Sequence, residues 1–152
     1  MFFRKWLLMG LIFISSASLN AKELIMVRSV QPFPETMSTL QETIRKYGYT
    51  LSRVQRVDIG LTKMGYKTDK YRVVFLGKVD ELKQLTKNHP ELIPYLPMKI
   101  AIFSEETQTL MVAYNPQELS LMFPAKDLQP IFQRWSKDLT AMMQEIQAQT
   151  TE

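Results

Sequence analysis

The sequence has 152 residues, of which 45% are hydrophobic and 22% are charged, with a formal net charge of +4. This composition is that of an ordinary globular domain and excludes a disordered or fibrous chain. The chain contains no cysteine, which excludes disulfide bonds, thiol catalysis, cysteine-ligated zinc and c-type haem attachment.

The N-terminal residues 1–21 have the three parts of a secretory signal peptide. These are a positive start at Arg4 and Lys5, the apolar run Trp6–Ile14, and the small polar stretch Ser15–Ala21. Cleavage after Ala21 and cleavage after Ala17 both fit the pattern, and an uncleaved anchor is the alternative. The apolar run is too short to span a bilayer, which takes about 20 residues. We therefore expect an exported protein, periplasmic or extracellular, whose residues 22–152 form one domain without a membrane span.

The charge of the mature chain is nearly balanced. Two of the 19 Lys and Arg residues lie in the predicted signal, which leaves 17 against 15 acidic residues, a net charge of +2. Such a balance does not indicate a nucleic acid or an anionic membrane as the partner.

The first half of the mature chain predicts three strands separated by helical segments. The strands are Leu24–Val30, Thr50–Val57 and Tyr71–Leu76, the first and third rich in apolar and β-branched residues. Between the first two, apolar residues recur at helical spacing from Met37 to Tyr47, and Gly48 is the expected stop. The stretch 58–70 has no clean period and predicts a short helical turn followed by a loop.

The second half predicts a short helix, a hairpin and a long helix. The short helix starts at Val79 and ends at His89, because a residue before proline avoids helical geometry. The hairpin strands are Met98–Phe103 and Thr109–Tyr114, joined by the polar loop Ser104–Gln108, and Gln117–Phe123 is a further strand or a helical turn. Apolar residues at spacings of three and four mark a final helix from Leu128 to Ile146, with Asp127 as its N-cap and a frayed tail from Ala148.

This order of elements predicts an α+β domain with an antiparallel sheet covered by helices. The runs DIGLTKMGYKTDKYRVVFLGK, HPELIPYLPMKIAIF and AYNPQEL resemble the Domain of Unknown Function 302 family, and the likeness covers about Leu24 to Ile146. The resemblance implies a curved sheet with a long C-terminal helix across it, similar in outline to TATA-box-binding-protein-like folds, and a homodimer. It implies no reaction. Some relatives carry a cysteine near the position of Gly77, which this chain lacks, so their thiol chemistry is not expected here.

Residues for acid–base or phosphate chemistry are sparse. The single histidine, His89, lies at a helix end, where a capping or surface role is expected, and it lacks the partners of a catalytic triad or a closed zinc site. Asp58 and Asp69 flank a loop and are the alternative carboxylate pair. The glycines Gly60 and Gly65 are too few for a phosphate cradle.

The methionines have two interpretations. Thioethers bind Cu(I) in oxidising compartments, so a copper or haem site through His89, Met98 and Met111, with Met122 as a further thioether, is the minor alternative. Core filling is favoured, because several of these residues fall on predicted strands or on the apolar stripe of the final helix. We therefore predict no cofactor.

The candidate ligand site is a pattern of cations interleaved with aromatic residues, joined by one tryptophan of the final helix. Its residues are Lys63, Tyr66, Lys70, Tyr71, Arg72 and Trp135. Cations beside aromatic rings can hold an anionic or planar ligand, whereas a solvated loop anchored by tyrosines gives the same pattern. The leading hypothesis is an exported, non-enzymatic protein that binds a small ligand in a groove between the sheet and the final helix. The alternatives are a homodimeric interaction protein that docks on an envelope complex, and an enzyme.

Overall fold

The computed structural model describes residues 23–149, and the predicted signal peptide lies outside these residues. Its centre is one five-stranded antiparallel sheet in the order β1-β5-β4-β3-β2. The strands are β1 (Leu24–Ser29), β2 (Thr50–Arg56), β3 (Tyr71–Gly77), β4 (Met98–Glu105) and β5 (Gln108–Tyr114). The helices are α1 (Phe33–Lys46), α2 (Val57–Lys63), α3 (Val79–Asn88), α4 (Leu119–Met122) and α5 (Gln129–Gln147), with 3₁₀ turns at Pro90–Tyr95 and Pro116–Glu118. The predicted α+β class with an antiparallel sheet and a long C-terminal helix is confirmed.

The core lies between one face of the sheet, here called the inner face, and the helices α1 and α5. Successive strand residues point to opposite faces, so each strand gives every second residue to the core. The buried residues of the inner face are Val27, Ser29, Val74, Leu76, Met98, Ile100, Ile102, Thr109, Met111 and Ala113. The two helices contact each other and several strands. They bury Leu40, Ile44, Phe132, Trp135, Leu139, Met142, Met143 and Ile146.

The other face of the sheet, here called the outer face, keeps all its side chains at least partly accessible. Its residues are Leu24, Met26, Arg28, Arg53, Gln55, Tyr71, Val73, Phe75, Lys99, Ala101, Phe103, Glu105, Gln108, Leu110, Val112 and Tyr114. None of these side chains is buried, whereas most of those on the inner face are. One layer of helices on one face of the sheet is therefore the architecture of the described domain.

The helix boundaries follow from local chemistry. Pro34 is tolerated in the first turn of α1, where its missing N–H has no intrahelical partner. The helix ends just before Gly48, whose φ of +77° is the left-handed conformation that glycine adopts without strain. The amide of Gly48 donates to the carbonyl of Arg45 at 2.9 Å and closes the last turn.

Two boundaries differ from the sequence-based expectation. The loop predicted at Ser104–Gln108 is shorter, because Ser104 pairs with Thr109 and the two strands continue to a tight turn. Asp127 is not the N-cap of the final helix, which has Leu128 at that position and no side-chain cap. The open choice at Gln117–Phe123 resolves to helix, since the segment is helical up to Met122.

Among residues 23–149, no helix is both long and apolar enough to cross a membrane.

Candidate functional site

The strand register defines two ends of the sheet. At one end β1 and β4 finish, β3 and β5 begin, and the β4–β5 turn closes the hairpin. We call this the Lys70 end, and it comprises Phe33, Lys70, Arg72, Ser104 and Gln108. At the opposite end Leu24 of β1 pairs with Tyr114 of β5, and the segments leading to α3 and α4 leave the sheet.

Two cations of the predicted site meet one aromatic ring at the Lys70 end. The Nζ atom of Lys70 lies 5.9 Å from the ring centroid of Phe33, and the Cζ atom of Arg72 lies 5.8 Å from it. Arg72 stands opposite Ile102 of β4 on the inner face, beneath the start of α1. Both distances are within the range of a cation–π interaction.

Arg72 is already paired within the protein. Its guanidinium donates to the carboxylate of Asp58 at the start of α2, and to the carbonyl of Tyr71 at 3.0 Å. The side chains of Arg72 and Asp58 are only 14% and 16% exposed. The hydrogen bond from Arg72 holds the pKa of Asp58 below its ordinary value. Arg72 therefore joins α2 to β3. Of the two cations beside Phe33, Lys70 is the one that faces solvent.

A shallow cavity of about 390 Å³ opens beside Lys70. Phe33 and the two prolines that flank it, Pro32 and Pro34, line it together with Ser104 and Gln108. The lining combines an apolar wall with an ammonium, two hydroxyls and an amide, and it also includes the carboxylate of Glu106. The ammonium of Lys70 and the neutral donors can bind a small anion, whereas the carboxylate of Glu106 opposes it.

The other members of the predicted site lie elsewhere. Tyr71 is on the outer face and packs edge-on against Phe103, with ring centroids 5.9 Å apart. Trp135 is 2% exposed in the core, where its indole N–H donates to Glu81 Oε1 at 2.8 Å. Lys63 ends α2, and Tyr66 follows it as an exposed residue of the next loop. The structure therefore brings Lys70 and Arg72 together with Phe33, but not with Tyr71 or Trp135.

His89 links two segments that are distant in sequence. Its Nδ1 atom lies 3.0 Å from Glu91 Oε1, and its Nε2 atom lies 2.7 Å from Asp127 Oδ2. A neutral imidazole has one donor, so only the protonated ring donates to both carboxylates. The hydrogen bonds that His89 donates to Asp127 and then to Glu91 raise the pKa of His89, and the bond from His89 lowers the pKa of Asp127. We call these three residues the His89 clasp.

The outer face carries an apolar centre with charges at its margins. The central residues are Val73, Ala101, Phe103, Leu110 and Val112. At one margin Arg28 donates from Nε to Glu105 Oε2 at 2.8 Å. At another, Lys99 Nζ lies 6.0 Å from the ring centroid of Phe75. This arrangement is typical of a protein–protein interface, which has an apolar core and a polar rim.

Comparison with known proteins places this fold. The profile of the family described as "Domain of unknown function DUF302" matches residues 25–146. The chain belongs to the DUF302 family. A solved structure described as an uncharacterized conserved DUF302 protein from Bacillus stearothermophilus is similar, with a TM-score of 0.74 and 19% sequence identity. The match covers 83% of this chain and 99% of that one. No curated protein matches the chain.

The residues of the minor alternative, a copper or haem site, have defined places in the described part of this DUF302 chain. Across residues 23–149, no group of three or more His, Asp or Glu side chains is arranged to hold a metal ion. Met111 pairs with Ile102, four residues along β4 from Met98, and that spacing corresponds to about 13 Å in a strand. Met98 and Met111 are both buried in the core, as core filling predicts, while Met122 is half exposed. Met98 and Met111 therefore lie well apart on the inner face.

Sequence reasoning missed Phe33, Asp127 and the outer face. Phe33 is not among the predicted site residues, because its partners Lys70 and Arg72 lie about 40 residues away in sequence and no local pattern marks the contact. Asp127 was assigned to a helix cap, although its carboxylate reaches His89, 38 residues away in sequence. The outer face of this DUF302 chain did have a local signal, since β3 and β5 alternate between buried and accessible apolar residues.

Proposed function

We propose that this DUF302 chain is exported and acts as a non-enzymatic, homodimeric accessory domain whose two copies meet through the outer face. The observation that carries the proposal is the apolar centre of that face, whose side chains stay accessible on a fully formed sheet. Export is supported by the N-terminal pattern of positive, apolar and small residues.

The size of the outer face fits a dimer contact. Each strand has 6 to 8 residues and rises about 3.3 Å per residue, and neighbouring strands lie about 4.8 Å apart. Five such strands give a face of roughly 500 Å². Two copies together then bury about 1,000 Å², which is the lower bound for a specific interface.

A second copy is the occupant that accounts for this face most simply. When a surface pairs with itself about a two-fold axis, both copies of the apolar centre are covered and the assembly closes. The margins also carry both charge signs, Arg28 with Glu105 at one side and Lys99 and Arg53 elsewhere, so an isologous contact can place opposite charges near each other.

The use of the reactive side chains supports the non-enzymatic part of the proposal. General acid–base catalysis needs a group that is within reach of a substrate proton. Both ring nitrogens of His89 lie at hydrogen-bond distance from carboxylates, and Arg72 is engaged by Asp58. These groups serve as contacts between segments.

The test compares two matched valine variants by sedimentation equilibrium. Val112→Glu places a carboxylate in the apolar centre, and Val79→Glu makes the same change at an exposed position of α3. We expect the wild type and Val79→Glu to be dimers at micromolar concentration, and the dissociation constant of Val112→Glu to rise at least 100-fold. Circular dichroism spectra that agree for all three would show that the fold is retained. A monomeric wild type at 100 μM, or a dimer that tolerates Val112→Glu, would contradict the proposal.

Export is tested separately by expressing the full-length chain in a bacterial host and fractionating the cells. The expected result is a periplasmic or extracellular product whose measured mass corresponds to cleavage after Ala21 or Ala17. A product of full mass in the cytosolic fraction would contradict export without affecting the dimer.

A second candidate function is the binding of a small anion at the Lys70 end. The cavity beside Lys70 favours it, because an apolar wall there adjoins an ammonium group and neutral donors, and Glu106 is the one lining group that opposes an anion. Titration with acetate, benzoate and inorganic phosphate, followed by backbone amide NMR shifts, should perturb Ser104 and Gln108 first. Lys70→Gln should weaken binding at least tenfold, while the control Lys67→Gln, an exposed lysine outside this cavity, should not. Equal affinities in the two variants would rule this site out.

A further inference from the structure

A group of exposed apolar side chains lies at one end of the described domain. Residues 23–149 contain eleven large hydrophobic side chains that are exposed. Five of the eleven, Ile93, Tyr95, Tyr114, Leu121 and Met122, belong to segments at the end of the sheet opposite to Lys70. Together with Phe123 we call them the α4 end. Isolated exposed hydrophobic residues are ordinary, but a group of them marks an interaction site.

The register and the ring contacts place these segments side by side. The 3₁₀ turn Pro90–Tyr95 leads into β4, and Pro116–Met122 follows β5. The two strands are antiparallel neighbours, so the start of β4 and the end of β5 lie at the same edge of the hairpin. The rings of Tyr95 and Phe123 pack edge-on with centroids 5.5 Å apart, which joins the two segments directly.

The short helix α4 turns apolar residues toward solvent. Leu119 is buried and anchors the helix to the core, whereas Leu121 is 83% exposed and Met122 is half exposed. Burial of Leu119 therefore stabilises the fold, whereas Leu121 and Met122 contribute little to its stability. Of the residues of the α4 end, Tyr114 alone also belongs to the outer face, so the proposed dimer leaves most of this surface open.

The chain outside the described residues enters the domain at this same place. The carbonyl of Glu23 accepts a hydrogen bond from the amide of Asn115 at 2.8 Å, directly after Tyr114. The apolar run Trp6–Ile14 precedes Glu23 by only the eight residues 15–22. Eight residues span at most about 29 Å when fully extended. While that run remains attached to the chain, Glu23 and the adjoining Tyr114 of the α4 end are tethered to it by this short segment.

We propose that the α4 end docks on the surface of a lipid bilayer, with Leu121 and Met122 among the acyl chains and Tyr95 and Tyr114 at the level of the headgroups. Tyrosine suits that depth, because its ring is apolar and its hydroxyl is polar. The mature chain is nearly balanced in charge, so the contact is apolar and does not need anionic lipid. This surface goes beyond the proposed dimer and does not depend on it.

The absence of cysteine allows one position to be labelled at a time. Leu121→Cys and, as a control at an exposed position outside the α4 end, Lys67→Cys are labelled with an environment-sensitive fluorophore. The chain is expressed at full length and purified as the cell processes it, with its N-terminus determined by mass spectrometry. Vesicles of phosphatidylcholine, with and without 25% phosphatidylglycerol, are then added. We expect a blue shift and quenching by lipid-borne quenchers at position 121 alone, to the same extent with both lipids.

Three results would overturn the inference. The first is an unchanged spectrum at position 121, and the second is an equal change at position 67. The third is a blue shift at position 121 that rises with protein concentration in the absence of vesicles, which would assign the α4 end to self-association. If the labelled variants give any of these results while the wild type still forms its dimer, the proposed function stands.

A pair of double and single variants measures the same contact without a label. Leu121→Ser with Met122→Ser removes two apolar side chains from the α4 end, and Met64→Ser removes an exposed methionine after α2. Burying one leucine side chain shifts an equilibrium by about tenfold or more. The vesicle partition coefficient should therefore fall at least tenfold in the double variant and stay within twofold in the control. Equal partitioning of the two variants would contradict docking at this surface.

Discussion

The two ends of the sheet are held together by different chemistry. At the Lys70 end the cross-links are guanidinium–carboxylate pairs, Arg72 with Asp58 and Arg28 with Glu105. At the α4 end the neighbouring segments are joined by apolar packing and by the His89 clasp, which ties the 3₁₀ turn Pro90–Tyr95 to the connection before α5. Arginine keeps its charge at every physiological pH, whereas histidine titrates near neutrality. The contacts at the Lys70 end should therefore not change with pH near neutrality, whereas those at the α4 end should.

The largest expected change in the free energy of unfolding comes from the buried leucine of α4, and the exposed leucine of the same helix is its control. Leu119→Ala removes a buried leucine and should lower the free energy of unfolding by about 3 kcal/mol. Leu121→Ala is the matched control, and because that side chain is mostly exposed its effect should stay within about 0.5 kcal/mol. Urea denaturation of the two variants measures both values. If Leu121→Ala cost as much as Leu119→Ala, then Leu121 would be part of the core and unavailable for docking.

The next largest change in the free energy of unfolding is expected at the Lys70 end. Arg72→Met leaves the carboxylate of Asp58 mostly buried without its partner, so the free energy of unfolding should fall by about 2 kcal/mol. The double variant Arg72→Met with Asp58→Asn removes the stranded charge and should recover most of that loss. Urea denaturation at pH 7 checks both. A double variant as unstable as the single one would mean that packing of Arg72 on Phe33, not the ion pair, holds this end.

The smallest effect is a pH dependence that should come from the α4 end alone. The pKa of His89 is raised in the folded protein, so its contribution to stability is fully present below the ordinary histidine pKa of about 6.5 and is lost as the pH rises through the folded value. The pKa of Asp127 and that of Glu91 are lowered, so their contribution is lost only in acid, as the pH falls through their folded values. The urea midpoint should therefore decline from about pH 6 toward pH 8.

His89→Gln is the control for this decline, because glutamine has no charge to lose over that range. The variant should show a flat midpoint between pH 6 and pH 8, while Arg72→Met should keep the slope of the wild type. A slope that persists in His89→Gln would assign the pH dependence to groups outside the clasp.

The strands and the main helices could be predicted from the sequence, because their apolar periodicity is local. The contents of the site could be predicted only in part. The alternation within β3 already implied that Tyr71 points away from Lys70 and Arg72, and the apolar stripe of α5 already implied a buried Trp135, so the grouping of these residues went against available signals. The contacts of Phe33 with Lys70 and of Asp127 with His89 could not be predicted, because they join positions 37 and 38 residues apart.

The order of the strands also bears on when this chain can fold. Leu24 in β1 lies opposite Tyr114 in β5, 90 residues further along the chain, and α5 at the C-terminus packs over β1. The first strand therefore remains unpaired until β5 has been synthesised. Pairings across such long separations form slowly. The sheet cannot be completed before β5 has been synthesised, and a chain whose sheet is incomplete is one that a translocation channel could still thread.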